Sequence, residues 1–340
     1  MFASRKSALV AAAAICVIVF AATDALAWGD TGHRMIGTLA MEALPASVPT
    51  FLHAPGVAAD VGEWAREPDR WRAAGLVHDD MRDPGHFVDV NDDGRVPDGP
   101  MLDQLPPSRG EYDAMLVKAG SSLARAGFLP YSIIDGWQQL VKDFALWRAD
   151  VAGEKLEKDP AKRAWIVADR RRREQMTVID LGIWAHYVGD GSQPLHVSVH
   201  YNGWGNGPNP HQFTTAPVHV PWEGPFVRAN VSWNAVRAAM TPYEACGCAI
   251  ALETERYLEA TRATVMPFYM LEKGNQLKPS NTKLIDFTAG RVAAGASELR
   301  NLIVEAWIDS ADGTVGYPVT SVRDIESGKV DAYDLLHGTD

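Results

Sequence analysis

The chain has little cysteine, one long apolar run and no excess of positive charge. Of its three cysteines, Cys16 lies in that N-terminal run, which leaves Cys246 and Cys248. Two residues cannot build the disulfide framework on which small exported folds depend. Residues two apart on a helix point away from each other, so a bridge between them would be strained. Both are read as small buried side chains. Beyond the N-terminus no stretch is apolar enough to span a bilayer, which takes roughly 20 residues. The net charge is −11, which argues against broad electrostatic gripping of duplex nucleic acid. It leaves open a site whose positive charge comes from metal ions. Internal repeats and linkers are also missing, so one large domain with a sizeable core is expected.

Arg5 and Lys6 precede an apolar run over residues 8–22, and Ala25-Leu26-Ala27 closes it. This is the pattern of a secretory signal cut after Ala27. The other reading, a membrane anchor, needs a longer run. Cleavage would make Trp28 the new N-terminus and place the protein outside the cytoplasm, secreted or periplasmic. It would also remove a net positive charge, leaving the remainder more acidic.

Helical spacing of apolar residues is found over 31–44, 110–127, 131–151, 159–190, 242–270 and 281–309. Residues 45–109 are rich in Pro, Gly and Asp and read as loops with short helices. Residues 197–230 carry Asn-Gly, Gly-Asn-Gly and several prolines and read as a long loop. The tail after Gly313 is polar and poorly patterned. The expectation is an all-α protein, one mainly helical domain over 28–312, with its chemistry on helix ends and loops.

The chemistry-bearing residues are histidines and acids. His186 and Asp190 are four apart on a helix, so both face one way. An imidazole and a carboxylate on one face suit zinc. The break from Gly191 to Pro194 would swing His196 back toward them. His219 and Glu223 repeat the four-residue spacing, with Pro221 acceptable in a first turn. His33 follows Trp28 closely, and His86 opens His86-Phe87-Val88-Asp89. Each alone is more simply a core or loop residue.

Taken in order, Trp28, His33, His86-Phe87-Val88-Asp89, His186/Asp190/His196 and His219/Glu223 resemble the S-one/P-one type zinc nucleases. These are secreted three-zinc enzymes that share a fold with bacterial zinc-dependent phospholipase C. The resemblance spans roughly residues 28–310. It implies three zinc ions. One would be held by an upstream Asp, His86, His186 and a bridging Asp190. A second would be held by the Trp28 amine and carbonyl, His33 and Asp190, and a third by His196, His219 and Glu223. The family often writes the upstream ligand as Trp-Ala-Asp. Here Trp64-Ala65 is followed by Arg66, so Asp69 is the best substitute, with Glu63, Asp60, Asp79 and Asp80 as alternatives.

The resemblance further implies hydrolysis of RNA and single-stranded DNA to 5′-phosphates, with Asp69 and Asp190 as catalytic acids, and removal of 3′-phosphates from nucleotides. Phe87 would stack a base and Asp89 would bind its edge. A monomer is expected. Glu223 stands where fungal and plant nucleases have Asp and looks like the phospholipase branch, the first alternative. A zinc-holding module without catalysis is the second.

Three other patterns are set aside. Asp89-Val90-Asn91-Asp92-Asp93-Gly94 opens like a calcium loop, but its twelfth position is Pro100. Arg170 to Arg173 is read as a solvated helix face. His200 and His211 are read as loop residues beside the cleft.

Overall fold

The computed structural model describes residues 28–338, apart from Asn206 and Asn275. The signal and its cleavage point lie outside the described residues. The described chain is one helical domain, with a two-stranded β-hairpin near its end as its sheet. Two helices supply site residues, α1 (Gly29–Glu42) and α4 (Pro160–Gly191), and two pack against them, α2 (Val57–Trp64) and α3 (Leu129–Leu156). Two more, α5 (Ile250–Arg262) and α6 (Thr282–Asp309), pack behind them.

Helix α4 organises the core. It starts cleanly because Pro160 sits in the first turn and the Asp159 side chain accepts hydrogen bonds from the Ala161 and Lys162 amides at 2.8 and 3.2 Å. Its last two turns, from Trp184 onward, are almost wholly buried. There Trp184 Nε1 donates to the Ile133 carbonyl of α3 at 2.9 Å. The end of α4 is tied down from outside: Tyr257 Oη donates to the Val188 carbonyl at 2.7 Å, and Arg291 Nε of α6 donates to the Ser192 carbonyl at 2.9 Å. A half-buried cation at a helix C-terminus satisfies a free carbonyl and opposes the helix dipole.

The sequence reading and the structure differ in three places. The helix expected from residue 242 begins at Ile250. Pro242 and Gly247, at φ 59°, hold the preceding segment out of helix. Cys246 and Cys248 lie in that non-helical segment and form a disulfide, with Cα atoms 5.1 Å apart. They are half-buried rather than buried. The objection to a bridge assumed helical geometry, and the segment does not have it. The helix expected over 110–127 stops at Lys118, resumes for Leu123–Ala126, and is interrupted by Gly120 at φ 83°. The loop expected to run to 230 is helical from His219 to Asn230, with a wide turn at Trp222–Phe226.

Poor as it is in pattern, the segment after Gly313 is ordered. Val315, Val322, Ile325 and Ala332 pack on Ala145, Ala149 and Ala152 of α3 as a second small core. Three of the four arginines at 170–173 are taken up by ion pairs to Glu154, Glu174, Asp169 and Asp143.

Candidate metal centre

Four parts of the chain deliver the site. The first is α1. Trp28 is fully buried, and its Nε1 donates to the Gly189 carbonyl at 2.9 Å and to Ser192 Oγ at 2.8 Å. Its ring meets Trp222 edge-on at 5.3 Å. These contacts pin the start of α1 to the end of α4 and to the turn carrying Glu223. His33, one turn on, stacks against His186 at 3.8 Å. Gly189 makes room for it, since a Cβ there would come within 3.0 Å of Ile36 and 3.2 Å of His33.

The second part is His86–Val90, where a 3-10 turn ends at His86 and the chain runs extended from Phe87. The Val88 amide donates to the His196 carbonyl at 2.9 Å, and the Asp89 amide donates to the Ala126 carbonyl at 2.8 Å. Gly127 completes the seat. It has φ 75°, and a Cβ on it would fall 2.1 Å from the Phe87 carbonyl oxygen, so only glycine fits. The third part is the α4 end itself, with His186 and Asp190 a turn apart and His196 just past the break. The fourth is the turn at His219–Glu223. Its wide geometry, of a kind often found at functional sites, brings Glu223 Oε2 to 2.7 Å from His219 Nε2.

These parts converge. Asp190 Oδ2 lies 3.1 Å from His86 Nδ1 and 3.4 Å from His186 Nε2, while its Oδ1 lies 3.5 Å from His33 Nε2. One carboxylate therefore faces two donor groups. Asp69 Oδ1 is 3.8 Å from His186 Nε2 and 3.4 Å from Arg72 Nε. The other upstream acids are elsewhere: Glu63 pairs with Arg34 and Arg66, and Asp79 with His78. A separate group forms from His196, His219 and Glu223. Its imidazole Nε2 atoms are 3.0 Å apart, and Glu223 Oε2 is 3.8 Å from His196. Three donor sets result: His33/His186/Asp190, Asp69/His86/His186 and His196/His219/Glu223. Within each set, one donor atom per residue lies within 4.8 Å of the others.

Two observations make these sets fit a metal. The first is tautomeric. His186 Nδ1 is 2.7 Å from the Ala65 carbonyl and His196 Nδ1 is 2.5 Å from the His86 carbonyl. A carbonyl only accepts, so each Nδ1 carries the proton and each Nε2 turns a lone pair inward. That is the arrangement by which outer carbonyls orient ligating histidines. The second is electrostatic. Burial pushes the Asp69 carboxyl up to about 8, against the pull of Arg72, and Glu223 up to about 7. Burial also drives Asp190 well above its ordinary range, with Asp69 adding to it. The same burial holds His86 and His186 well below theirs, and takes His219 down to about 3. Buried acids short of countercharge and imidazoles kept neutral are what a divalent cation would satisfy. Asp190 Oδ1 and Glu223 Oε1 are buried without a hydrogen bond.

An open cavity of about 620 Å³ lies against both groups, lined by His86, His196 and His219 and by Phe87, Asp89 and Tyr201. Phe87 and Asp89 are half-buried at its wall. Burial pushes the Asp89 carboxyl up to about 7.

Sequence reasoning missed two neighbours. Gln193 is fully buried, and its Nε2 is 3.1 Å from both His219 Nε2 and Glu223 Oε2. It lies in the Gly191–Pro194 break already singled out, so its position was a usable signal. Arg72, between Asp69 and Asp83 on the cavity wall, had none. His200 is 3.1 Å from Asp92 and stacks on Trp204. The Asn91–Gly94 stretch closes as a polar turn, with Asp93 accepting from the Arg95 amide.

No family model matches the chain, and no curated protein matches it. Among solved structures it is similar to the alpha-toxin of Clostridium perfringens isolated from avian strain SWCP, at 12% identity and a TM-score of 0.37. The match covers 84% of this chain and 67% of that one. A likeness this low carries no inference about activity.

Proposed function

We propose that the chain is an exported zinc hydrolase that cuts phosphodiester bonds in single-stranded DNA and RNA, leaving 5′-phosphates. The observation that carries this reading is the convergence of buried imidazoles and carboxylates beside an open cavity. Asp69, His86, His186 and Asp190 would hold one zinc ion, and His33 and Asp190 with the Trp28 main chain would hold a second. His196, His219 and Glu223 would hold the third. Bound there, zinc would neutralise the anionic diester oxygens and lower the pKa of a water toward 7.

The chain's own residues do the rest. Asp190 ties the first two groups together through its two oxygens. Asp69, at the edge of the same group, orients the attacking water. Phe87 offers a ring at the cavity wall, and base stacking there contributes about 1–3 kcal/mol with little regard to base identity. Asp89 accepts hydrogen bonds from the edge of the stacked base. Bases must be unstacked to reach such a shelf, so unpaired strands are preferred.

A second reading is a phospholipase C, favoured by a glutamate rather than an aspartate four residues after His219. A non-catalytic module fits less well, because His86, His196 and His219 are reached from the cavity. Rates on single-stranded DNA, duplex DNA, RNA and phosphatidylcholine, with and without chelator, test the proposal. Chelator-sensitive cleavage of single strands well above duplex supports it. Hydrolysis of phosphatidylcholine alone overturns the substrate, and no chelator-sensitive hydrolysis at all overturns the reaction.

A further inference from the structure

The cavity is also lined by residues outside the metal-ligand groups. Asn91, Ser121, Ala124 and Arg125 are among them. Arg125 is exposed, and among the described residues its guanidinium makes no ion pair or side-chain hydrogen bond. The other arginine on the wall differs: Arg72 lies between two carboxylates, 3.4 Å from Asp69 and 3.9 Å from Asp83.

The backbone beneath Arg125 is fixed to the base shelf. The Arg125 amide donates to Ser122 at 3.1 Å. The neighbouring Ala126 carbonyl accepts from the Asp89 amide, and the Leu129 amide donates to the Phe87 carbonyl at 3.0 Å. The tight approach of Gly127 to Phe87 locks the two segments together. Arg125 is thus a cation on the cavity wall whose backbone is fixed relative to Phe87 and which belongs to none of the metal-ligand groups. Its fork of donors suits a phosphate.

Resting on the nuclease reading, we infer that Arg125 binds a phosphate of the substrate strand other than the one being cut, and so makes the site select polynucleotides over single diesters. An exposed charged contact of this kind is worth a few-fold in affinity.

The test compares wild type, Arg125→Gln and Arg125→Lys as zinc-loaded chains beginning at Trp28. The substrates are a short oligothymidylate and bis(4-nitrophenyl) phosphate, which has one phosphate and no neighbour. The ratio of kcat/KM for the oligonucleotide to that for the single diester is expected to fall about three- to tenfold in Arg125→Gln. The loss is read in KM. The slope of log kcat/KM against log salt is expected to flatten by about 0.7, the signature of one phosphate contact on a single strand. Arg125→Lys restores most of the ratio and the slope, which a purely structural defect would not allow. A wild type that cuts the oligonucleotide, with Arg125→Gln matching its ratio and slope, overturns this inference alone. A wild type that hydrolyses the single diester but neither binds nor cuts the oligonucleotide overturns the nuclease reading and this inference with it.

Discussion

Replacing Glu223 by glutamine keeps the side chain's shape and removes its charge, and the structure gives that change two effects of opposite sign. The donor atoms of His196, His219 and Glu223 are separated by 2.7, 3.0 and 3.8 Å. Ligands of a tetrahedral zinc with bonds near 2.0–2.2 Å sit about 3.3–3.6 Å apart, so small adjustments would complete the site. A neutral amide in place of the carboxylate weakens that site by more than the roughly 10–100-fold that loss of an outer partner costs. At zinc concentrations near 100 times Kd, losing one site removes about 2.7 kcal/mol of zinc-linked stability.

Without metal the sign reverses. Burial raises the Glu223 carboxyl from its ordinary 4.5 to about 7. The folded form therefore holds its proton more tightly than the unfolded form does. Its stability is unaffected below about pH 4.5, falls as pH rises toward 7, and is then lower by up to about 3 kcal/mol. Glutamine carries no such penalty. In chelator at pH 8, Glu223→Gln is expected to melt higher than wild type, and near pH 4 the two should coincide. In zinc it should gain less than wild type and hold one ion fewer. Thermal melts in both buffers, with metal content measured after dialysis, check this. A variant that melts lower in chelator yet keeps wild type's zinc increment and metal count would refute the reasoning.

Other outcomes follow from the same geometry. Phe87→Ala should lower kcat/KM on single-stranded DNA by the equivalent of about 1–3 kcal/mol while leaving metal content intact, and steady-state kinetics with metal analysis check it. Asp150 is buried in α3, and burial pushes its carboxyl up to about 7, with Asp169 adding to it. Asp150→Asn should therefore stabilise the protein by about 1–3 kcal/mol at pH 8 and by little near pH 4, as read by denaturant unfolding at both values. A chain carrying one residue before Trp28 has no Trp28 amine to ligate and should hold one zinc fewer than a chain beginning at Trp28. Equal metal content and activity in the two would remove that amine from the site.

Much of the candidate site's grouping was legible because its residues obey local spacing. His186/Asp190 and His219/Glu223 are each one helical turn apart, and a helix places such pairs together whatever surrounds it. The long helices were visible for the same reason, since apolar periodicity over Thr282–Asp309 is a property of the segment itself. Partners set by tertiary approach were not legible from spacing. Arg72 reaches the cavity through a connection between short helices that carries no periodicity. Asp69 was one of several candidate acids until packing separated it from Glu63 and Asp79. Cys246 and Cys248 were misread because helix was extended through Pro242 and Gly247, and in the non-helical chain found there the two sulfurs meet. The order after Gly313 comes from packing on small alanines of α3, which leaves no strong pattern in the tail.

The most direct test is the metal content of the chain beginning at Trp28, measured beside its phosphodiesterase activity before and after chelation. Three zinc ions per chain are expected, with activity lost as they are stripped and regained as zinc is returned. A folded chain with less than one bound ion, or one whose hydrolysis survives complete removal of metal, would contradict it.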